Sequence, residues 1–354
     1  MVKNMNTELK EQMARSSDTP AEMLAELAKD EDRGVRIWVS TNLNTPKETL
    51  VDLSKDSCWD VRCGVAENPN TPKEILVELA GDHNVHVCDG VAVNPSTPSE
   101  TLEELSYKVP SFVARNPHVP FPILQRFSKD QDWIVRGGVA ENPNTPKEML
   151  AELAKDQDWH VRFEVAANIC APKIVLLDLL KDETSEVRSG AAANPNLPEE
   201  MLSELAKDQD RDVRYGVSRN PNTLKEMLAE LAKDQNWDIR MAVAEHENTS
   251  AETLSELAKD DDAYICCAVA RNLNTSAETL SELAKEEDSQ IRLWVARNKN
   301  TPVEVLKKLA EDIDLRVRDA ATAAKSEMDL LSTKMSMESV SRKKETKSPV
   351  KMKM

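Results

Sequence analysis

The sequence predicts an all-α solenoid of twelve tandem two-helix repeats, period 26 with one copy shortened, and no β-sheet. Three observations carry that reading. A 26-residue phrase recurs in register along most of the chain. Two apolar positions three residues apart hold Leu in nearly every copy, which is a helical spacing. Aromatic residues are only 4% of the chain and charged residues 31%, a balance that suits solvated helices better than a strand-built core.

With the Thr of the phrase Thr145 to Trp159 as position 1, repeats begin at Thr19, Thr45, Thr71, Thr97, Val119, Thr145, Ala171, Leu197, Thr223, Thr249, Thr275 and Thr301. A Thr-Pro-x-Glu opening reads as a capping box, with the Thr hydroxyl accepting from first-turn amides and Pro at the first helical position. Leu at positions 6 and 9 then places two side chains on one face of a first helix of about three turns. Asp or Asn at position 14 (Asp132, Asp158, Asn236, Asp262) predicts the N-cap of a second helix. Val or Ile at positions 17 and 21 gives that helix a buried stripe, as Val135 with Val139. Asn at position 24 is expected to end it in the left-handed conformation, with Pro next in six copies. Neither helix can bury its apolar face within one repeat, so neighbours must supply the core. Five of the eight glycines stand at position 20 (Gly64, Gly90, Gly138, Gly190, Gly216), where close helix packing is the expected reason for so poor a helix former.

Residues 1–18 read as a polar helical lead-in that caps the array, 19–326 as the twelve repeats, and 327–354 as a disordered basic tail with Arg342, Lys343, Lys344, Lys347, Lys351 and Lys353. The tail opposes the body in sign, which suggests transient docking along it. The array is irregular at 97–122, where repeat 4 is four residues short, Pro110 stands in the place of an Arg, and repeat 5 opens Val119-Pro120-Phe121-Pro122. That irregularity reads as a decayed copy or as a hinge.

A formal net charge of -17 disfavours nucleic-acid phosphate and anionic lipid as partners and favours proteins or peptides of basic character. No stretch approaches the ~20 apolar residues that cross a membrane, and the first residues lack the apolar core of a signal peptide. Six cysteines (Cys58, Cys63, Cys88, Cys170, Cys266, Cys267) form no C-x-x-C pair, which fits a reducing, cytoplasmic home. The histidines His83, His86, His118, His160 and His246 scatter among repeats. With no nucleophile–base pair, phosphate loop or zinc spacing, no catalytic, metal or cofactor site is expected.

The string Leu-Ala-Glu-Leu-Ala-Lys-Asp-x-Asp-Trp-x-Val-Arg, as it stands from Leu150 to Arg162, resembles the leucine-rich repeat variant family, and the likeness extends over nearly all of 19–326. The resemblance implies a right-handed superhelix of α and shorter, 3₁₀-like helices. It also implies kinship with HEAT repeats, which pair an Asp with an Arg six residues later, here Asp130/Arg136, Asp156/Arg162, Asp182/Arg188, Asp208/Arg214 and Asp234/Arg240. The implied role is a ladder of charge-assisted hydrogen bonds between neighbouring repeats. One family precedent carries an iron–sulfur cluster in an N-terminal cysteine-rich segment; no Cys precedes Cys58 here, so no cluster is carried over.

Cys88 and Cys266 replace the ladder Arg and read as small packing residues. Trp59, Trp133, Trp159 and Trp237 share position 15 and read as packing between repeats. Trp38 and Trp294 occupy position 20, as packing near the array ends or as contact points. Positions that vary between near-copies are free to recognise a partner. Positions 16, 19 and 23 share one face of the second helix and vary most: His160, Phe163, Asp212, Tyr215, Arg219, Asp238, Met241, Tyr264, Arg271, Gln290, Leu293 and Arg297. The function expected is a non-catalytic protein- or peptide-binding scaffold. The alternatives are a HEAT-like enzyme, of chromophore lyase or base-excision type, and nucleic-acid binding.

Overall fold

A computed structural model describes residues 5–345, and among them the chain forms 25 helices and no strand. It divides into two compact units, Met1–Asn196 and Leu197–Met354, with the boundary at the start of repeat 8. Each unit is a stack of helix pairs.

The first helix of a repeat has seven residues in most copies, as Lys147–Leu153, and the second has nine, as Trp133–Glu141. Both are α-helical; the 3₁₀-like form that the resemblance implies is absent among the described residues. Leu24, Leu50, Leu76, Leu102 and Leu150 at position 6 are fully buried, as are Val39, Val65 and Val139 at position 21. Asp and Asn at position 14 cap the second helix as expected: Asp132, Asp158 and Asn236 each accept from the amide two residues on.

The Thr-Pro opening works differently from a capping box. The first helix begins after the Pro, which makes no side-chain cap, and it is about two turns long. The Thr hydroxyl instead donates to the last turn of the preceding second helix: Thr45 to Val39 O and Thr145 to Val139 O, both at 2.6 Å. That carbonyl already accepts the amide of Asn42 or Asn142, and the Thr side chain adds a second bond that splices one helix to the next. Where Ser replaces Pro at position 2, a true cap appears, Ser250 accepting from the Thr253 amide.

Nor does Asn at position 24 adopt the left-handed conformation. Asn142 has φ -63 and ψ 125, which is extended, and no described residue has positive φ. Its amide is occupied otherwise. Asn142 Nδ2 donates to Ala114 O and Asn116 O in the preceding repeat, both at 2.7 Å, and its Oδ1 accepts from the Asn144 amide at 2.9 Å. The same three bonds recur at Asn42, Asn68, Asn94, Asn116, Asn168 and Asn298. In repeat 9 the position is His246, whose Nε2 reaches Asn220 O at 2.9 Å while Nδ1 accepts from the Asn248 amide at 3.0 Å. Within each unit a buried asparagine ladder therefore ties a repeat to the one before, with the hydrogen-bonding atoms of these side chains satisfied.

Glycine at position 20 has the packing role expected. A Cβ on Gly138 would lie 2.9 Å from Ala114 Cβ and 3.0 Å from Ser111 O, and one on Gly90 would lie 3.1 Å from Ala66 Cβ. The shortened repeat 4 keeps only Pro110–Arg115 as its second helix.

The lead-in helix Thr7–Arg15 is a second helix in the repeat register. Thr19 donates to Met13 O, Asn42 to Ala14 O and Lys10 to Asp30, matching the bonds 26 residues later. At the other end, the helix of repeat 12 runs Leu315–Glu345, so the described part of the expected disordered tail is helical. Extending an existing helix avoids the nucleation penalty, and this segment holds no Gly or Pro. Lys347, Lys351 and Lys353 lie outside the described residues.

Candidate functional site

The charged groups that recur are structural. Arg at position 18 makes a bidentate pair with Asp at position 12 of the next repeat, not with the Asp six residues before it. Arg136 meets Asp156 at 2.6 and 2.8 Å, and Arg162 meets Asp182 at 2.6 and 2.9 Å. Arg214 with Asp234 and Arg240 with Asp260 repeat the pattern in the second unit. The Asp six before contributes its main-chain carbonyl instead: Asp130 O to Arg136, Asp182 O to Arg188 and Asp208 O to Arg214. The sequence spacing joined the right residue types but the wrong repeats, because a side chain at position 18 points toward the following repeat. Burial works against the charge of Asp156, and hydrogen bonds from Arg136 and the Asp158 amide outweigh it, leaving the carboxyl below its ordinary value. Asp130 accepts from the Asp132 amide at 2.9 Å but meets no position-18 guanidinium, since Pro110 stands 20 residues before it.

The residues singled out on the second helices divide by unit. In the first unit they are engaged between repeats. His160 stacks between Trp133 and Trp159, with ring centroids 4.3 and 3.7 Å away, and its Nδ1 lies 2.9 Å from Asp158 Oδ1. The Phe163 ring lies against Gly190, 3.3 Å from where a Cβ would stand.

In the second unit an open groove of about 380 Å³ runs between the second helices of repeats 8 and 9, Arg211–Arg219 and Trp237–Glu245. Four of the predicted residues, Tyr215, Arg219, Asp238 and Met241, meet there with Trp237, Ala242 and Glu245. Asp212 lines its continuation with Arg211 and Asn236. Arg219 donates to the Tyr215 hydroxyl at 3.0 Å, and that bond holds its guanidinium above the ordinary arginine value. From Asp212 to Arg219 is about 10 Å along the helix, and an acid and an arginine flank the aromatic and thioether floor at each end, Asp212 with Arg211 and Glu245 with Arg219.

Beyond it, Arg271 reaches Glu245 at 3.7 Å and lies 4.8 Å over the Trp294 ring, with Arg297 5.2 Å from the same ring. Trp294 is thus packed against two arginines of the chain itself, and Trp38 takes Arg15 in the same way at 3.9 Å. Tyr264 is 73% exposed. Gln290 faces the Arg316 guanidinium once its amide is turned. Leu293 is a correction: at 6% exposure it is buried and offers nothing to a partner, because the long last helix packs beside it. Trp237 is 50% exposed, and repetition hid it from the sequence argument, which assigned every position-15 Trp to packing.

Among the described residues no three His, Cys, Asp or Glu side chains gather as a metal site would require. No helix of the described residues is long and apolar enough to cross a membrane.

The stacked helix pairs, spliced by Thr, Asn and Arg–Asp ladders, define a helical-repeat protein. The leucine rich repeat variant family model matches residues 59–83, 133–158 and 186–210. Those three stretches carry the leucine rich repeat variant motif, and the helix pairs around them form a helical-repeat solenoid. A solved structure described as a leucine-rich repeat variant with a novel repetitive motif is 28% identical, over 69% of this chain and 87% of that one, with TM-score 0.33. An engineered protein is 20% identical, over 90% of this chain and 94% of that one, with TM-score 0.30. A chain from a structure of Kap95p binding to RanGDP is 11% identical, over 90% of this chain and 61% of that one, with TM-score 0.36. No curated protein matches.

Proposed function

We propose that the protein is a non-catalytic scaffold of a reducing, cytoplasmic compartment, and that its second unit binds a peptide segment of basic character in the groove between repeats 8 and 9. One observation carries this reading: Tyr215, Trp237 and Met241 open together on a groove rimmed by Asp212, Asp238 and Glu245. Aromatic and thioether floors supply adaptable apolar contact. Arg211 meets Asp212 at 3.5 Å and Arg271 meets Glu245 at 3.7 Å, which leaves Asp238 beside the apolar floor to favour a Lys or Arg side chain next to an apolar one.

Display of random peptides on phage against the full chain tests it. Peptides joining Lys or Arg to an apolar residue should be enriched, and their affinity should fall tenfold or more for Tyr215→Ala and Met241→Ala, about 1.4 kcal/mol or above. Both side chains are half-exposed, so thermal stability should hold. Selected peptides that bind those variants as well as the parent would overturn the site, and enrichment of acidic peptides would overturn the charge.

A further inference from the structure

One rung of the Arg–Asp ladder has its chemistry exchanged. Cys88 stands at position 18 of repeat 3, where Arg is usual, and Lys108 at position 12 of repeat 4, where Asp is usual. Lys108 Nζ lies 2.9 Å from Cys88 Sγ. The same Nζ donates to Asp82 O at 2.9 Å, the carbonyl that a position-18 guanidinium takes elsewhere, as Arg62 takes Asp56 O. The lysine therefore reaches across the repeat boundary from the opposite side of the rung, and the carbonyl fixes its nitrogen against the sulfur.

The other described cysteines lack this arrangement. Cys266 holds the same position, but Glu286 stands opposite it; burial and that carboxylate push its thiol up to about 11. Burial and Glu67 push Cys63 to about 12. Cys88 is the one described cysteine with an ammonium at hydrogen-bond distance from its sulfur. Its remaining neighbours are the main-chain oxygens of Leu79, Ala80 and Asp82, so Lys108, whose side chain is exposed, stands between the sulfur and solvent.

We propose that Cys88 and Lys108 form an oxidative N–O–S cross-link between repeats 3 and 4, with hydrogen peroxide as the oxidant. The first peroxide transfers one oxygen to sulfur, converting S–H to S–OH and leaving as water. The lysine gives its extra proton to solvent. The second peroxide takes one hydrogen from the amine and one from the sulfenic oxygen as the N–O bond forms, and leaves as two waters. Thiol, amine and two peroxides become the bridge and three waters. One oxygen spans nearly the present N···S separation, whereas a direct S–N bond would draw the two repeats together. The link ties the second helix of repeat 3, Val85–Val93, to the turn after Ser99–Leu105, beside the shortened second helix of repeat 4.

The test is peroxide titration of the full-length protein, followed by proteolysis without reductant and mass spectrometry. The expected product joins the Cys88 and Lys108 peptides with one oxygen gained and two hydrogens lost. It resists tryptic cleavage at Lys108, returns to free thiol and amine with dithiothreitol, and melts at a higher temperature than the untreated protein. Lys108→Arg and Cys88→Ser, both folded by circular dichroism, should give no joined peptide. Oxidation of Cys88 to an unlinked sulfinic acid, a joined peptide without the added oxygen, or a Cys88 thiol that survives while Cys63 and Cys170 oxidise would each overturn the proposal.

Discussion

Replacing Asn142 with Asp separates the asparagine ladder from ordinary packing, because the two side chains have almost the same shape. Asn142 is fully buried. Its amide donates to Ala114 O and Asn116 O and accepts from the Asn144 amide. Asn142→Ala removes three hydrogen bonds at about 1 kcal/mol net each, so it should cost about 3 kcal/mol. Asn142→Asp keeps the acceptor but turns a carboxylate oxygen toward two carbonyl oxygens. An uncompensated buried charge costs about 3–5 kcal/mol, so the isosteric change should be at least as damaging as the truncation at neutral pH.

The pH dependence follows in sign. Burial and two facing carbonyls raise the folded-state value of the introduced carboxyl above its unfolded one, about 3.9. Stability relative to the parent is then recovered below that unfolded value and lost as pH rises through the folded one. A repeat array opens unevenly, so amide exchange across repeats 4 to 6 should be read beside the urea midpoint. His246→Asn is the reciprocal check: the ladder's third bond is restored and stability should rise by about 1 kcal/mol, while His246→Ala should lose about 2 kcal/mol through two bonds. An Asn142→Asp protein at pH 7 as stable as the parent would refute the ladder, since its amide nitrogen could not then face those carbonyls.

Adjacent glycines should respond with opposite signs. Gly137 has no atom within 4 Å of a built Cβ, so Gly137→Ala should stabilise by about 0.5–1 kcal/mol through helix propensity. Gly138→Ala gains as much but forces apart contacts at 2.9 and 3.0 Å, so overpacking of about 1–3 kcal/mol should leave it net destabilised in urea titration. The ladder carboxyls Asp82, Asp156, Asp182, Asp234, Asp260 and Asp312 all lie below their ordinary 3.8 in the fold. Lowered values mean stability that is full above pH 3.8 and lost as pH falls through the folded values, so melting temperature should drop steeply in acid. Glu164 runs the other way: burial and Glu141 raise it, so Glu164→Gln should melt higher than the parent at neutral pH.

Most of the helices were legible because their signals are local. Leu at positions 6 and 9 and the Asp caps at position 14 depend on residues within a few places along the chain, and twelve copies average out the noise. The lead-in helix also announced itself, in retrospect, through Lys10, Met13 and Arg15, which stand 26 residues before Arg36, Val39 and Thr41. The groove was legible in part: variation between copies found Tyr215, Arg219, Asp238 and Met241, but it also picked Leu293, which faces inward, and passed over Trp237.

By itself the sequence determined the period, the helical content and the alternation of buried and exposed faces, since each follows from spacing along a single helix. Partnership between repeats was decided by the tertiary structure. Thr145 is a splice rather than a cap, Asn142 a clamp rather than a left-handed stop, and Arg136 belongs to Asp156 rather than to Asp130. Spacing in a periodic chain fixes residue type modulo the repeat; which neighbour a long polar side chain reaches depends on how one pair of helices is set against the next.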